Sequence, residues 1–78
     1  MRRLTVFDGS DRIATITQIG NGSLFIFARS IREWKAMKRL VDSGYDVSKD
    51  DSKFLELVAA RAHSYDYSTE LIDDKYDK

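Results

Sequence analysis

Arg29, Arg32, Lys35, Lys38 and Arg39 place five cations in an eleven-residue stretch whose one acid is Glu33. At 100° per residue, Arg32, Lys35 and Arg39 share one side of a helix. Arg29 extends that stripe from just before the helix, and Lys38 stands at its margin. Cations so spaced can contact several phosphates, and binding of that kind weakens steeply with salt. The other half of the wheel carries Trp34, Met37, Leu40 and Val41. The plainer reading is therefore an amphipathic helix that packs its tryptophan inward and shows water a basic face.

Further along the chain the sign reverses. Asp66, Glu70, Asp73, Asp74 and Asp77 lie among Tyr65, Tyr67 and Tyr76. Such a segment can dock in an arginine- and lysine-lined groove, its carboxylates standing in for phosphates and its phenol rings for stacked bases. The same composition also suits a solvating tail. Asp42, Asp46, Asp50 and Asp51 extend the acidic field. Residues 1–39 hold eight Lys/Arg against three Asp/Glu, and residues 40–78 hold five against ten, so the halves stand at +5 and −5 while the whole is neutral. That split can steer a partner or make the chain self-complementary. Neutrality weighs against a nucleic-acid-binding domain, which normally has a strong positive excess.

Catalytic and metal chemistry find few candidates. His63 is the single histidine, and helical spacing puts it on the solvent side, away from Ser64. One histidine and no cysteine cannot make a multi-histidine or thiolate zinc site. Asp46–Asp51 lacks the ordered ligands, the turn glycine and the closing glutamate of an EF-hand loop. Gly20-Asn21-Gly22 precedes a strand, not a helix, so it is no phosphate cradle. Asn21-Gly22 reads instead as a type I′ hairpin turn. Phe7, Phe25 and Phe27 can stack bases if exposed. In a chain this small they are expected in the core. No enzyme activity and no cofactor are expected.

The elements that position these residues follow from period and punctuation. Arg3–Phe7, Arg12–Ile19 and Leu24–Ala28 read as strands, separated by Asp8–Asp11 and by Gly20–Ser23. In the second strand Ile13, Thr15, Thr17 and Ile19 share a face. The third is apolar on both faces, which suggests a central strand or a sheet covered on both sides. Two helices can cover one face well, leaving the tail or a second subunit for the other. Ser30 and Glu33 form a capping box opening a helix to about Ser43, closed by Gly44. A second start at Ser48–Asp51 leads a helix to about Tyr65, with Phe54, Leu55, Val58, Ala62 and Tyr65 inward.

The expected architecture is thus α+β: a three-stranded antiparallel meander followed by two α-helices. It forms one small domain over residues 1–68, with an acidic mobile tail over 69–78. At 78 residues the core is small and lacks the usual staples, which favours a homodimer. No apolar run is long enough to span a bilayer, and only four uncharged residues separate Arg3 from Asp8. A cytoplasmic location without membrane contact is expected. Three strands and then a helix resemble, as fold analogy only, the sheet-type arm-binding domains of tyrosine recombinases. Small size, no cysteine and split charge resemble the accessory proteins of phages and mobile elements, inhibitors of host defence among them. The function expected is a non-catalytic protein-interaction module, an inhibitor or regulator that occludes its partner. Its contact surface is the acidic one (Asp66, Tyr67, Glu70, Asp73, Asp74, Tyr76, Asp77) or the basic helix, and the expected partners include proteins that themselves bind nucleic acid. A nucleic-acid-binding regulator using Arg29, Arg32, Lys35, Lys38 and Arg39 is the alternative.

Overall fold

The structure, a computed structural model, describes residues 1–73. Strands β1 (Arg2–Asp8), β2 (Asp11–Ile19) and β3 (Ser23–Ala28) form two successive hairpins. Gly9 opens the first turn at φ 67°, a conformation that a type II′ hairpin needs and glycine adopts without strain. The second turn is not the two-residue I′ form. Gly20–Gly22 makes a short 3-10 turn, and Gly22, at φ 85°, brings Ser23 opposite Ile19.

Helix α1 spans Ile31–Val41. The Ser30 hydroxyl accepts from the Glu33 amide at 3.1 Å, as the sequence predicts. The glutamate does not complete the box: its carboxylate turns to Arg29 and the Ser30 hydroxyl. Helix α2 spans Phe54–His63 and starts later than its expected Ser48 cap. Ser48–Lys53 is instead a series of turns, and the Asp51 carboxylate takes the Lys53 amide at 2.8 Å.

The principal correction lies after α2. Asp66, at φ 69°, reverses the chain, and Ser68–Asp73 forms a fourth strand, β4, antiparallel to β1. The sheet order is β3-β2-β1-β4, so the fold is four-stranded α+β and not a three-stranded meander followed by two helices. Residues 69–73, expected as tail, pair from Arg2↔Asp73 to Thr69↔Val6. β4 contains only two large aliphatics, Leu71 and Ile72, yet an edge strand requires no more than a backbone partner and one half-covered face. β3 is accordingly an edge strand, not a central one.

Both helices lie on one side of the sheet, α1 over β2 and β3 and α2 over β1 and β4. Leu4 and Val6 of β1 and Ala14 and Ile16 of β2 meet Met37, Leu40 and Val41 of α1 and Phe54, Leu55, Val58 and Ala62 of α2. A register shift at Val6/Phe7 leaves Ile13 buried beside Ala14, out of step with Thr15 and Thr17. Each large side chain so buried stabilises the fold by about 1.5–3 kcal/mol. Tyr45 closes the far end. Its hydroxyl donates to the Leu40 carbonyl at 2.6 Å, its ring meets Phe54 edge-on at 5.2 Å, and Arg61 stands 5.3 Å from its centroid. Among the described residues no helix is long and apolar enough to cross a membrane.

Two aromatic expectations of the helical segments fail. Trp34 is 40% exposed. It stands on the flank of α1 that also carries Lys38 and Val41, and those two border Leu24 and Ile26 at the free edge of β3, where no further strand among the described residues covers it. Tyr65 is exposed because the chain leaves the helix at His63.

Candidate functional site

Strand alternation sends Leu24, Ile26 and Ala28 toward the helices, so Phe25 and Phe27 point the other way. No element among the described residues covers that side. Phe25 is 59% and Phe27 77% exposed, whereas the sequence reading placed both in the core. Cross-strand register builds the surface around them. One row runs Phe25, Thr17, Arg3, Ile72, and the next runs Phe27, Thr15, Thr5, Glu70. Phe7, half-buried, continues it toward Arg12, and a shallow depression of about 770 Å³ lies between Phe7, Phe27, Arg3 and Glu70. The centre of the face holds threonine hydroxyls and aromatic carbon. Arg3 and Glu70 bring one charge of each sign, neither in an ion pair among the described residues, and Arg12 and Arg29 line the depression with them.

The basic residues of α1 divide in two. Arg29 donates through Nε to Glu33 Oε1 at 3.0 Å and through Nη2 to Oε2 at 3.1 Å. That contact holds the Glu33 carboxyl below its usual value and raises Arg29 further; the Ser30 hydroxyl adds to the first effect and desolvation opposes it. Lys38 pairs with Asp42, which also receives Lys49 at 3.2 Å, and Asp42 is lowered by these two hydrogen bonds. Arg32, Lys35 and Arg39 form no ion pair among the described residues and share the solvent side of α1. That stripe lies across the whole sheet layer from Phe25 and Phe27.

The acidic candidates do not gather. Asp66 occupies the turn after α2, Glu70 lies on the open face, and Asp73 pairs with Arg2 at 3.3 Å. Tyr67 packs partly against the core. Asp74, Tyr76 and Asp77 lie outside the described residues. One unexpected meeting does occur: Tyr67 of the acidic set and Arg39 of the basic set line a single cleft of about 590 Å³ with Tyr65 and Ser43.

His63 is exposed, with Nε2 2.8 Å from the Thr69 hydroxyl, while Ser64 donates to the Arg61 carbonyl. Among the described residues no group of three or more His, Cys, Asp and Glu is placed to hold a metal ion. The Tyr45 hydroxyl is raised above its ordinary value, chiefly by burial and against the opposing field of Arg61. The open face was partly signalled by Leu24–Ala28, apolar on both sides of a strand in a chain with only two helices. Comparison with known proteins finds no family model, no curated protein and no solved structure that matches this chain.

Proposed function

We propose that this chain is a non-catalytic protein-interaction module that acts by covering a partner's surface, with the open face of the sheet as its contact. The observation that carries the reading is the pair Phe25 and Phe27, adjacent on one sheet face and more than half exposed. Contiguous exposed aromatics flanked by polar groups mark protein contact surfaces, and aromatic rings are the usual energetic anchors there. The chemistry of the face specifies the partner: an apolar ridge for the phenylalanines, with hydrogen-bonding and charged groups at its rim to meet Thr15, Thr17, Arg3 and Glu70. A phosphate backbone suits this face less well, because Glu70 sits in its second row and Arg29, one of three arginines lining the depression, is already held by Glu33.

The test begins with proteins of the native host retained on the immobilised chain. The strongest is purified and titrated calorimetrically against the wild type and an F25S/F27S variant. Both side chains are exposed, so the variant retains its urea midpoint. Loss of tenfold or more in affinity supports the face as the contact; unchanged affinity overturns it.

A second reading rests on Arg32, Lys35 and Arg39, cations of α1 that form no ion pair among the described residues, as a nucleic-acid surface. A mobility shift that persists to about 0.2 M salt and disappears on charge reversal of these three supports it. No shift at low salt removes it.

A further inference from the structure

The free edge of β3 has a symmetry of its own. The Arg29 amide donates to the Ile13 carbonyl at 3.1 Å, and Ala28 lies opposite Ala14. Antiparallel ladders alternate, so this bond sets the phase: Phe25, Phe27 and Arg29 bond inward to β2. Leu24, Ile26 and Ala28 therefore direct their N–H and C=O groups outward, to an edge that no strand among the described residues occupies. These three residues are evenly spaced about Ile26. Ser23–Ala28 contains no charge, no proline and no glycine, the devices that ordinarily blunt an edge. The opposite edge, β4, carries Glu70 and Asp73.

We infer that two copies of this chain pair through the free edges of their β3 strands, antiparallel and centred on Ile26, into one continuous eight-stranded sheet. Ile26 faces Ile26 of the second copy, and Leu24 faces its Ala28 in both directions. Each of these three positions exchanges two N–H···O bonds, which satisfies the outward groups of both strands. Phe25 then stands directly across from Phe27 of the second copy, twice, in the close non-hydrogen-bonded sites where aromatic cross-strand pairs interact best. No charged residue of one strand meets a like charge of the other, and the chain's zero net charge removes overall repulsion.

The second layer fits the same pairing. α1 lies over β2 and β3, so a strand spacing of about 4.8 Å places the two α1 axes roughly 10 Å apart. That is the distance at which helices pack. Trp34, on the flank of α1 that borders the β3 edge, comes to lie between them, which accounts for a tryptophan left 40% exposed in the single chain. With aromatic side chains presenting about 150–250 Å² each, Trp34, Phe25 and Phe27 expose roughly 260–440 Å² per chain, of which the pair covers Trp34 and the facing flanks of the phenylalanines, and the strand edges add to it. The second copy therefore fits as occupant. The inference goes beyond the proposed function, because the edge pairs whether or not a protein lands on the open face. In the pair that face doubles in width, with four phenylalanines at its middle.

Light scattering and amide hydrogen exchange test it on the full chain, over a concentration series reaching about 1 mM. The expected result is a mass rising to twice the 9.0 kDa of one chain, with the Leu24 and Ile26 amides gaining protection of tenfold or more over the same range. A28P removes an outward amide, alters the partly buried Ala28 contact with the core and leaves Phe25 and Phe27 in place, so it is expected to stay monomeric while keeping any partner affinity of the open face. F25K, on an exposed side chain, places a cation in each central pair and is expected to dissociate the dimer even if A28P folds poorly. A monomer throughout the series overturns the inference. So does a dimer whose Leu24 and Ile26 amides exchange freely, since it is joined elsewhere.

Discussion

Gln18 is the one buried side chain on the helix-covered side of the sheet whose removal should loosen a loop without opening a cavity. It is 4% exposed, and its Nε2 donates to the Lys49 carbonyl at 2.7 Å and the Asp51 carbonyl at 3.0 Å. Arg2 reaches its Oε1 at 3.4 Å, a long bond that adds little. A single amide thus ties the turns between α1 and α2 to the C-terminal end of β2. Q18M keeps length and volume and removes these bonds. Two neutral hydrogen bonds contribute about 1 kcal/mol each. The released carbonyls belong to an exposed and a half-buried residue, so water can reach them and the orphan penalty stays small. Methionine's extra apolar burial offsets part of the loss, leaving an expected destabilisation of about 1–2 kcal/mol. Q18E is the sharper probe. At neutral pH it sets a buried carboxylate against two carbonyl oxygens, which raises its folded-state pKa against the weaker opposing pull of Arg2, 3.4 Å from Oε1 and already paired with Asp73. A raised acid loses stability as pH rises through its unfolded value, so the variant should fall about 3 kcal/mol or more below wild type at pH 7 and recover on acidification. Urea titrations at pH 7 and pH 5, compared at equal m-values, measure both variants. A Q18M within 0.5 kcal/mol of wild type, or a Q18E no worse than Q18M, would show that the amide is not the tie described.

Leu4 is fully buried in the central strand β1, so L4A is expected to cost about 2–5 kcal/mol, read as a lowered urea midpoint with unchanged slope. Gly44 sits at φ 86° with open space where a Cβ would stand; G44A should cost about 1–2 kcal/mol from backbone strain alone, measured by thermal melting. Glu33 and Asp42 are both held below their ordinary values of 4.5 and 3.8, chiefly by Arg29 and by Lys38. Depressed carboxylates contribute stability above their unfolded pKa and lose it as pH falls through the folded value, so the thermal midpoint should decline only below about pH 4.5. E33Q should flatten part of that decline.

Local chemistry was legible where a neighbour in sequence was enough to specify it. Ser30 caps α1, Gly44 follows its end in the left-handed region, and Phe54, Leu55, Val58 and Ala62 turn inward at helical spacing. The first two hairpins form between the strands that pattern and turn residues indicated, although Gly20–Gly22 makes a three-residue connection. β4 was not legible. Its pairing joins residues about sixty-five positions apart, and Ser68–Asp73 carries too few apolar side chains to announce a strand. Trp34 misled for a related reason: its wheel position is correct to within a flank, but no strand among the described residues covers that flank. Gln18 inverted the usual expectation, since a polar residue took a core position and was satisfied by carbonyls more than thirty residues away.

What these 78 residues determine by themselves is the alphabet of elements: two hairpins, two helices of which the first is capped, and a third strand apolar on both sides. Tertiary structure decided which strand became an edge and which sheet face stayed bare. Alternation marks the two faces of a strand but does not distinguish between them; only the docking of both helices on one side leaves Phe25 and Phe27 in water. That docking, and the distant partner that makes β4 a strand, are contacts between residues far apart in the chain, which no local pattern encodes.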